Sequence, residues 1–190
     1  MRIVGGALSG RRFRGPPGDA TRPTGERVRE GIASALDARS GIAGRKVLDL
    51  WSGTGALAFE ALSRGATKAV CVEKERRVAK CLEQSADELG LADRVRVLPV
   101  AIAPSRAFLE ALAKAGGPFG LVFADPPYAD VAVVVPLLEA MQAASLLAED
   151  ALVVVEHAHK SPPAASERLA IVTTYRYGDT GVTLLRATRP

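Results

Sequence analysis

The feature that most constrains the fold is a regular alternation between short apolar runs and longer segments with helical periodicity. The apolar runs lie at 47–50, 69–72, 95–100, 121–124 and 151–156. The helical segments lie at 56–64, 75–89, 105–114 and 131–147, the last interrupted by Pro136. Apolar runs that are separated by helices form βαβ units, and such units build a parallel sheet with both faces covered. The alternation therefore predicts an α/β fold.

The last part of the chain departs from this pattern. The apolar segments 169–175 and 182–186 follow one another through Gly178 and Asp179, with no room for a helix between them. Two such segments joined by a short turn form an antiparallel hairpin. We therefore expect a mostly parallel sheet that ends in an antiparallel strand.

Basic residues are concentrated near the start of the chain. Residues 1–46 carry ten basic and four acidic side chains, a net charge of +6, whereas the other 144 residues carry 15 and 17, a net charge of −2. We divide the chain into a basic N-terminal arm, residues 1–23, and one domain, residues 24–190, which begins with a helix capped by Thr24. A basic segment of this kind suits the phosphates of a nucleic acid, although a solvated arm is the alternative. The candidate nucleic-acid contacts are Arg2, Arg11, Arg12, Arg14, Arg22, Arg27 and Arg29.

Other features exclude several classes of protein. No apolar stretch approaches the ~18 residues that a membrane span requires, and the first residues lack the core of a signal peptide, so we expect a cytoplasmic protein. Cys71 and Cys81 have no metal-ligand spacing and are expected to be reduced thiols. His157 and His159 lack a third ligand of matching spacing, so we expect an exposed loop there and no metal site.

A candidate ligand site follows the first apolar run. The segment from Asp49 to Leu57 contains Ser52, Gly53 and Gly55 at the expected turn from strand to helix, where doubly wound sheets bind ligands. The third glycine of a dinucleotide fingerprint is missing, which disfavours a pyrophosphate ligand. Glu73 follows the next run, 18 residues after Gly55, where such folds place a carboxylate that accepts the hydroxyls of a ribose. These residues fit S-adenosylmethionine, with Asp49 towards its amino group; capping roles for Asp49 and Glu73 are the alternative.

The most specific motif follows the fourth run and reads Asp125-Pro126-Pro127-Tyr128. An exocyclic amine of a nucleic-acid base is a poor nucleophile because its lone pair is delocalised into the ring. If Asp125 and the Pro126 carbonyl each accept one N–H, the lone pair is directed towards the methyl group of a bound donor, and proximity then lowers the barrier. The two prolines hold the carbonyls in place, and Tyr128 offers a ring on which an extruded base can stack. An acceptor-only carboxylate matches the adjacent donors of guanine, N1–H and N2–H, slightly better than the edge of adenine.

The sequence as a whole resembles the RsmD-type family of 16S ribosomal RNA guanine-N2 methyltransferases. The segments that carry the resemblance are 2–6 with 10–12, 22–30, 48–57 with 60–66, 125–128 and 177–180. The family implies a Rossmann-like methyltransferase fold with a seven-stranded sheet, S-adenosylmethionine as the cofactor, and 16S rRNA in the small subunit or an assembly intermediate as the partner. One departure concerns the usual Asp-Ala pair after the third strand. Here the segment 100–103 reads Val-Ala-Ile-Ala, and the backbone of Ala101 and Ile102 is expected to hold the adenine instead.

The resulting prediction is a monomeric methyltransferase that acts on the N2 amine of a guanine in 16S rRNA. Related motifs also serve adenine-N6 methylation of DNA or RNA and glutamine-N5 methylation of proteins, and the basic arm fits the last of these poorly. A non-catalytic RNA-binding assembly factor and a nicotinamide-dependent reductase are the remaining alternatives. The reductase would need a catalytic Tyr/Lys pair, which is not evident in the sequence.

Overall fold

The computed structural model describes residues 1–15, 25–127 and 130–188. Its helices are α1 (Glu26–Asp37), α2 (Ala56–Ser63), α3 (Arg76–Leu89), α4 (Arg106–Ala115) and α5 (Val131–Ala143). Its strands are β1 (Lys46–Leu50), β2 (Lys68–Val72), β3 (Val95–Leu98), β4 (Phe119–Ala124), β5 (Leu147–Ala158), β6 (Leu169–Tyr177) and β7 (Thr180–Ala187). The predicted alternation of strands and helices is confirmed.

The strands form one sheet in the order β3-β2-β1-β4-β5-β7-β6. Neighbours from β3 to β5 run parallel, whereas β7 runs antiparallel to both β5 and β6. The predicted seven-stranded sheet with an antiparallel C-terminal end is therefore confirmed. The chain leaves β1 towards β2 on one side and returns to β4 on the other, so the carboxyl end of β1 lies at the switch point where such folds bind ligands.

Two hydrophobic layers cover the sheet because successive side chains of a strand point to opposite faces. Leu121 and Phe123 of β4 join a cluster that contains the buried residues of α1, α2 and α3. Val122 and Ala124 join the opposite cluster, which contains the buried residues of α4 and α5. The site described below lies at the carboxyl end of the strands.

The described part of the basic arm, residues 1–15, packs on the core. Its ends pair as a hairpin through an Arg2–Arg12 bridge, and Ile3 and Phe13 are buried. Phe13 meets Phe59 of α2 edge to face, with ring centroids 5.2 Å apart. Residues 1–15 therefore contribute to the same hydrophobic core as α2.

A buried carboxylate on α2 fixes this hairpin. Glu60 is 3% exposed, and its two carboxylate oxygens accept hydrogen bonds from the backbone N–H groups of Val4 and Gly5, each at 2.8 Å. The Arg64 guanidinium donates to the same carboxylate at 2.9 Å. Since a buried charge is costly without partners, the three donors together stabilise the Glu60 carboxylate. The two backbone donors, from Val4 and Gly5, tie the hairpin to α2.

Several local expectations differ from the structure. Helix α1 begins after Gly25, which has no side-chain cap; Thr24 lies outside the described residues. Helix α5 contains Pro136 and ends at Ala143, before the expected end at residue 147, because Leu147 already belongs to β5. The expected exposed loop at His157 is wrong: His157 lies buried in β5, and its Nε2 is 2.8 Å from the hydroxyl of Thr183 on β7. Within the described residues, no helix is long and apolar enough to cross a membrane.

Candidate active site

The loop after β1 has a left-handed backbone at three positions, and the neighbouring strand holds it in place. Trp51, Gly53 and Gly55 all have positive φ, at 54°, 50° and 77°. Gly55 is also closely packed, because a Cβ there would lie 3.0 Å from Leu82 and 3.2 Å from Phe59. Ser52 anchors the loop, since its backbone N–H and its hydroxyl both donate to the carbonyl of Val72, at 3.0 and 3.1 Å.

Glu73, directly after β2, is held by two backbone donors. Its Oε2 accepts from the N–H of Gly53 at 3.1 Å, and its Oε1 accepts from the N–H of Glu75 at 2.8 Å. Glu75 in turn caps α3 by accepting from the N–H of Arg77. Because each carboxylate oxygen has two lone pairs, Glu73 keeps acceptor capacity for a ligand in the cleft beside it.

Asp49, at the end of β1, is a buried acid with a raised pKa. It is 2% exposed, and its Oδ2 accepts a hydrogen bond from the N–H of Ala58 at 3.2 Å. Burial raises the pKa of Asp49 to about 8, and the nearby charges of Asp125 and Glu73 add to the increase. A carboxyl group of this kind favours a cationic partner, which would restore its charge.

The Asp125 motif follows β4, next to β1. Ala124 is the last registered residue of β4 and pairs with Leu50 on one side and Val155 on the other. Asp125 is half-buried, Pro126 is buried and Pro127 is exposed. Tyr128, the predicted stacking ring, lies outside the described residues.

The motifs meet in one cleft of about 810 Å³. Of the predicted residues, its walls include Asp49, Ser52, Gly53, Glu73, Ile102, Asp125, Pro126 and Pro127. Two predicted cofactor residues, Gly55 and Ala101, are not among the lining residues. Gly55 packs closely against Leu82 and Phe59. Ala101 is exposed between Val100 and Ile102, which do line the cleft.

Sequence reasoning did not predict that α1, β5 and β7 contribute to the cleft wall. Gly25 and Val28 come from the start of α1, and Glu156 and Thr180 come from β5 and β7. Glu156 was detectable, because an acid at the end of a predicted strand next to β4 lies at the edge of the sheet that carries Asp125. The contribution of α1 could not be detected from the sequence, since the docking of that helix depends on contacts between distant segments.

The cleft carries mainly negative groups. The acidic side chains on its described walls are Asp49, Glu73, Glu75, Asp125 and Glu156, and Lys74 is the one basic side chain among them. No group of three or more His, Cys, Asp or Glu side chains suited to a metal ion occurs in the part of the chain that the structure describes. This distribution of charge favours a cationic organic ligand over a phosphate-bearing one.

The predicted RNA-binding arginines differ in their surroundings. Arg29 is 2% exposed and donates to the carbonyl of Arg2, so its guanidinium is not available at the surface. Arg11 donates to the carbonyls of Leu89 and Glu88 at the end of α3. Arg2, Arg12, Arg14 and Arg27 are exposed. Of these, Arg2 pairs with Glu26 and Arg14 pairs with Glu88. Arg22 lies outside the described residues.

The fold and the cleft at the carboxyl end of β1 define a Rossmann-like domain of the methyltransferase class. The sequence profile of a family described as conserved hypothetical protein 95 matches residues 1–186. The chain belongs to this family, the RsmD-type family that its motifs resemble.

Individual relatives agree with this assignment. The chain is 33% identical over 156 residues to ribosomal RNA small subunit methyltransferase D of Escherichia coli K12, covering 82% of this chain and 74% of the relative. It is similar to the solved structure of the Escherichia coli protein yhhF, with a TM-score of 0.82 and 29% identity over 100% of this chain and 99% of that one. An RNA methyltransferase of Salinibacter ruber, solved in complex with S-adenosyl-L-homocysteine, shares the fold, with a TM-score of 0.66 and 18% identity over 89% of this chain and 95% of that one.

Proposed function

We propose that the protein is an S-adenosylmethionine-dependent ribosomal RNA methyltransferase that methylates the exocyclic N2 amine of a guanine in 16S rRNA of the small subunit. The single observation that carries the proposal is the acidic cleft, in which Asp49 and Glu73 lie on one side and Asp125 on the other. The similarity to small subunit methyltransferase D supports ribosomal RNA as the substrate.

The cofactor fits the charges of the cleft. S-adenosylmethionine has a sulfonium and an ammonium group against one carboxylate, so it is cationic overall. The ammonium group is placed beside Asp49, and the ribose hydroxyls donate to Glu73, which is already oriented by two backbone N–H groups. The ligand carboxylate faces the first turn of α2, where Ala56 and Leu57 line the cleft and the helix dipole favours negative charge. Val100 and Ile102 offer apolar contacts for the adenine.

The substrate amine is placed at the Asp125 motif. One N–H of the amine donates to the Asp125 carboxylate and the other to the Pro126 carbonyl, which turns the nitrogen lone pair towards the sulfonium methyl group. Bound S-adenosylmethionine would supply the methyl group. Its carbon–sulfur bond would break as the methyl group passes to nitrogen, S-adenosylhomocysteine would leave, and the proton lost from nitrogen would pass to the Asp125 carboxylate or to water. The residues contribute orientation and electrostatic stabilisation of the developing positive charge on nitrogen.

The test uses Asp125→Ala with small subunits from a strain that lacks the enzyme and with radiolabelled cofactor. Removal of the carboxylate is expected to lower kcat by about 100-fold or more, while the Kd for the cofactor changes by less than about threefold. Asp93→Ala, which changes an exposed residue far from the cleft, is the matched control and is expected to retain full activity. Digestion to nucleosides identifies the product: N2-methylguanosine supports the proposal, and N6-methyladenosine or near-normal turnover of Asp125→Ala contradicts it.

A further inference from the structure

Glu156 lies directly beside the Asp125 motif on the neighbouring strand. In the parallel register of β4 and β5, Phe123 pairs with Val154 and Ala124 with Val155. One further step of this register places Asp125 next to Glu156. Adjacent strands lie about 4.8 Å apart, so the two residues are neighbours across the edge of the sheet.

The two acids also point to the same face of the sheet. Phe123 and Val154, two residues before each acid, both belong to the hydrophobic cluster on the side of α1, α2 and α3. Because side chains alternate along a strand, Asp125 and Glu156 continue on that side. Both line the cleft, which agrees with this placement.

We propose that Glu156 is a specificity-determining residue that accepts the N1–H of the target guanine while Asp125 accepts a hydrogen of its N2 amine. This inference rests on the proposed function and names a second acid for the same site. N1–H and one N2–H point in nearly the same direction from the edge of guanine, so two neighbouring carboxylates can accept one hydrogen each.

A glutamate carboxylate at this position would select guanine by rejecting purines that lack a donor at N1. A carboxylate offers only acceptors, so it repels any purine whose N1 is an unprotonated lone pair, as in adenine. A site built to hydrogen-bond one group of a substrate discriminates strongly against an analogue that lacks that group. 2-Aminopurine is the informative analogue, because it retains the exocyclic N2 amine but has an acceptor at N1.

The experiment compares guanine with 2-aminopurine at the methylated position of 16S rRNA in reconstituted small subunits. The wild type is expected to favour guanine by about 100-fold or more in kcat/KM. Glu156→Gln carries an amide that can donate to N1 of 2-aminopurine, so the preference is expected to fall by about tenfold or more. Glu149→Gln makes the same substitution at the exposed amino end of β5 and is expected to keep the wild-type preference.

The outcomes separate this inference from the proposed function. A wild-type protein that makes no N2-methylguanosine contradicts the proposed function and this inference with it. A normal wild-type activity with an unchanged preference in Glu156→Gln overturns the role of Glu156 alone. Cofactor affinity and thermal melting of Glu156→Gln show whether the variant is folded. Glu156→Ala removes the acceptor without adding a donor, and its preference for guanine over 2-aminopurine is also expected to fall.

Discussion

Asp49 illustrates how the burial of one residue bears both on stability and on the cofactor binding proposed for it. Its place at the end of the first apolar run predicts a position in the cleft, and the structure puts it there. The sequence could not predict its protonation, because the pKa depends on burial and on the distances to Asp125 and Glu73, which follow two other strands. Residues distant in the sequence thus determine the charge of Asp49.

The first prediction concerns the stability of the protein without ligand. The pKa of Asp49 rises from 3.8 to about 8 on folding, so the folded chain holds a proton that the unfolded chain releases between these values. The stabilisation from that proton is complete below the unfolded pKa and is lost as the pH rises through about 8. We expect the Tm of the wild type to fall as the pH rises from about 5 to about 9. The Tm of Asp49→Asn should fall less, so that the free energies of unfolding of the two proteins change by amounts that differ by about 1 kcal/mol or more over this range.

Melting curves across this range test the prediction, with exposed Asp93→Asn as the control for loss of one carboxylate. Parallel pH profiles for the wild type and Asp49→Asn would contradict a raised pKa for Asp49.

The second prediction concerns cofactor binding by the same residue. If the ammonium of S-adenosylmethionine contacts Asp49, binding favours the ionised carboxylate and releases its proton below about pH 8. Affinity is therefore expected to rise between about pH 6 and about pH 8, and titration calorimetry in buffers of different ionisation enthalpy should detect proton release. Asp49→Asn should bind about tenfold more weakly or worse and release no proton. A binding heat that is the same in all buffers would show that no proton is released, and would contradict a contact between Asp49 and the ammonium group.

At the scale of elements, the helices and strands could be predicted much better than the contacts between them. Periodicity predicted β1 to β7 and α1 to α5 within a few residues, because each element buries one face or both. The docking of residues 1–15 was not predictable in this way. Glu60 looks like an ordinary polar residue of a helix in the sequence, and only the fold shows that Val4 and Gly5 donate to it.

The third prediction tests how closely this hairpin lies against α2. Gly6 and Gly10 both have positive φ, at 78° and 81°, so alanine strains the backbone at either position by about 1 kcal/mol. A Cβ at Gly6 would lie 2.1 Å from the carbonyl oxygen of Ser63, whereas at Gly10 it would meet nothing within 4 Å. Gly6→Ala is therefore expected to destabilise the protein by roughly 1–3 kcal/mol more than Gly10→Ala, measured by urea unfolding. Equal losses for the two variants would show that the hairpin moves freely on α2.

At the scale of the whole molecule, the distribution of charge was predicted only in part. The sequence showed an excess of basic residues in 1–46. It could not show that Arg11 caps the end of α3 or that Arg29 is buried, since both depend on contacts between distant segments. The fold separates basic residues that hold the structure together from those that can meet a polyanion.

The last prediction separates these two groups by the salt dependence of RNA binding. Arg12 and Arg27 are exposed, and Arg27 lies between Gly25 and Val28, which line the cleft. If both contact phosphates, the double variant Arg12→Ala/Arg27→Ala should reduce the magnitude of the negative slope of log K against log salt by roughly 1.5, since each contact contributes about 0.7–0.9. Its Tm should be nearly unchanged. Arg11→Ala should instead lower the Tm, because α3 loses two charge-assisted hydrogen bonds at its end. An unchanged slope in the double variant would show that the phosphates are contacted by other residues.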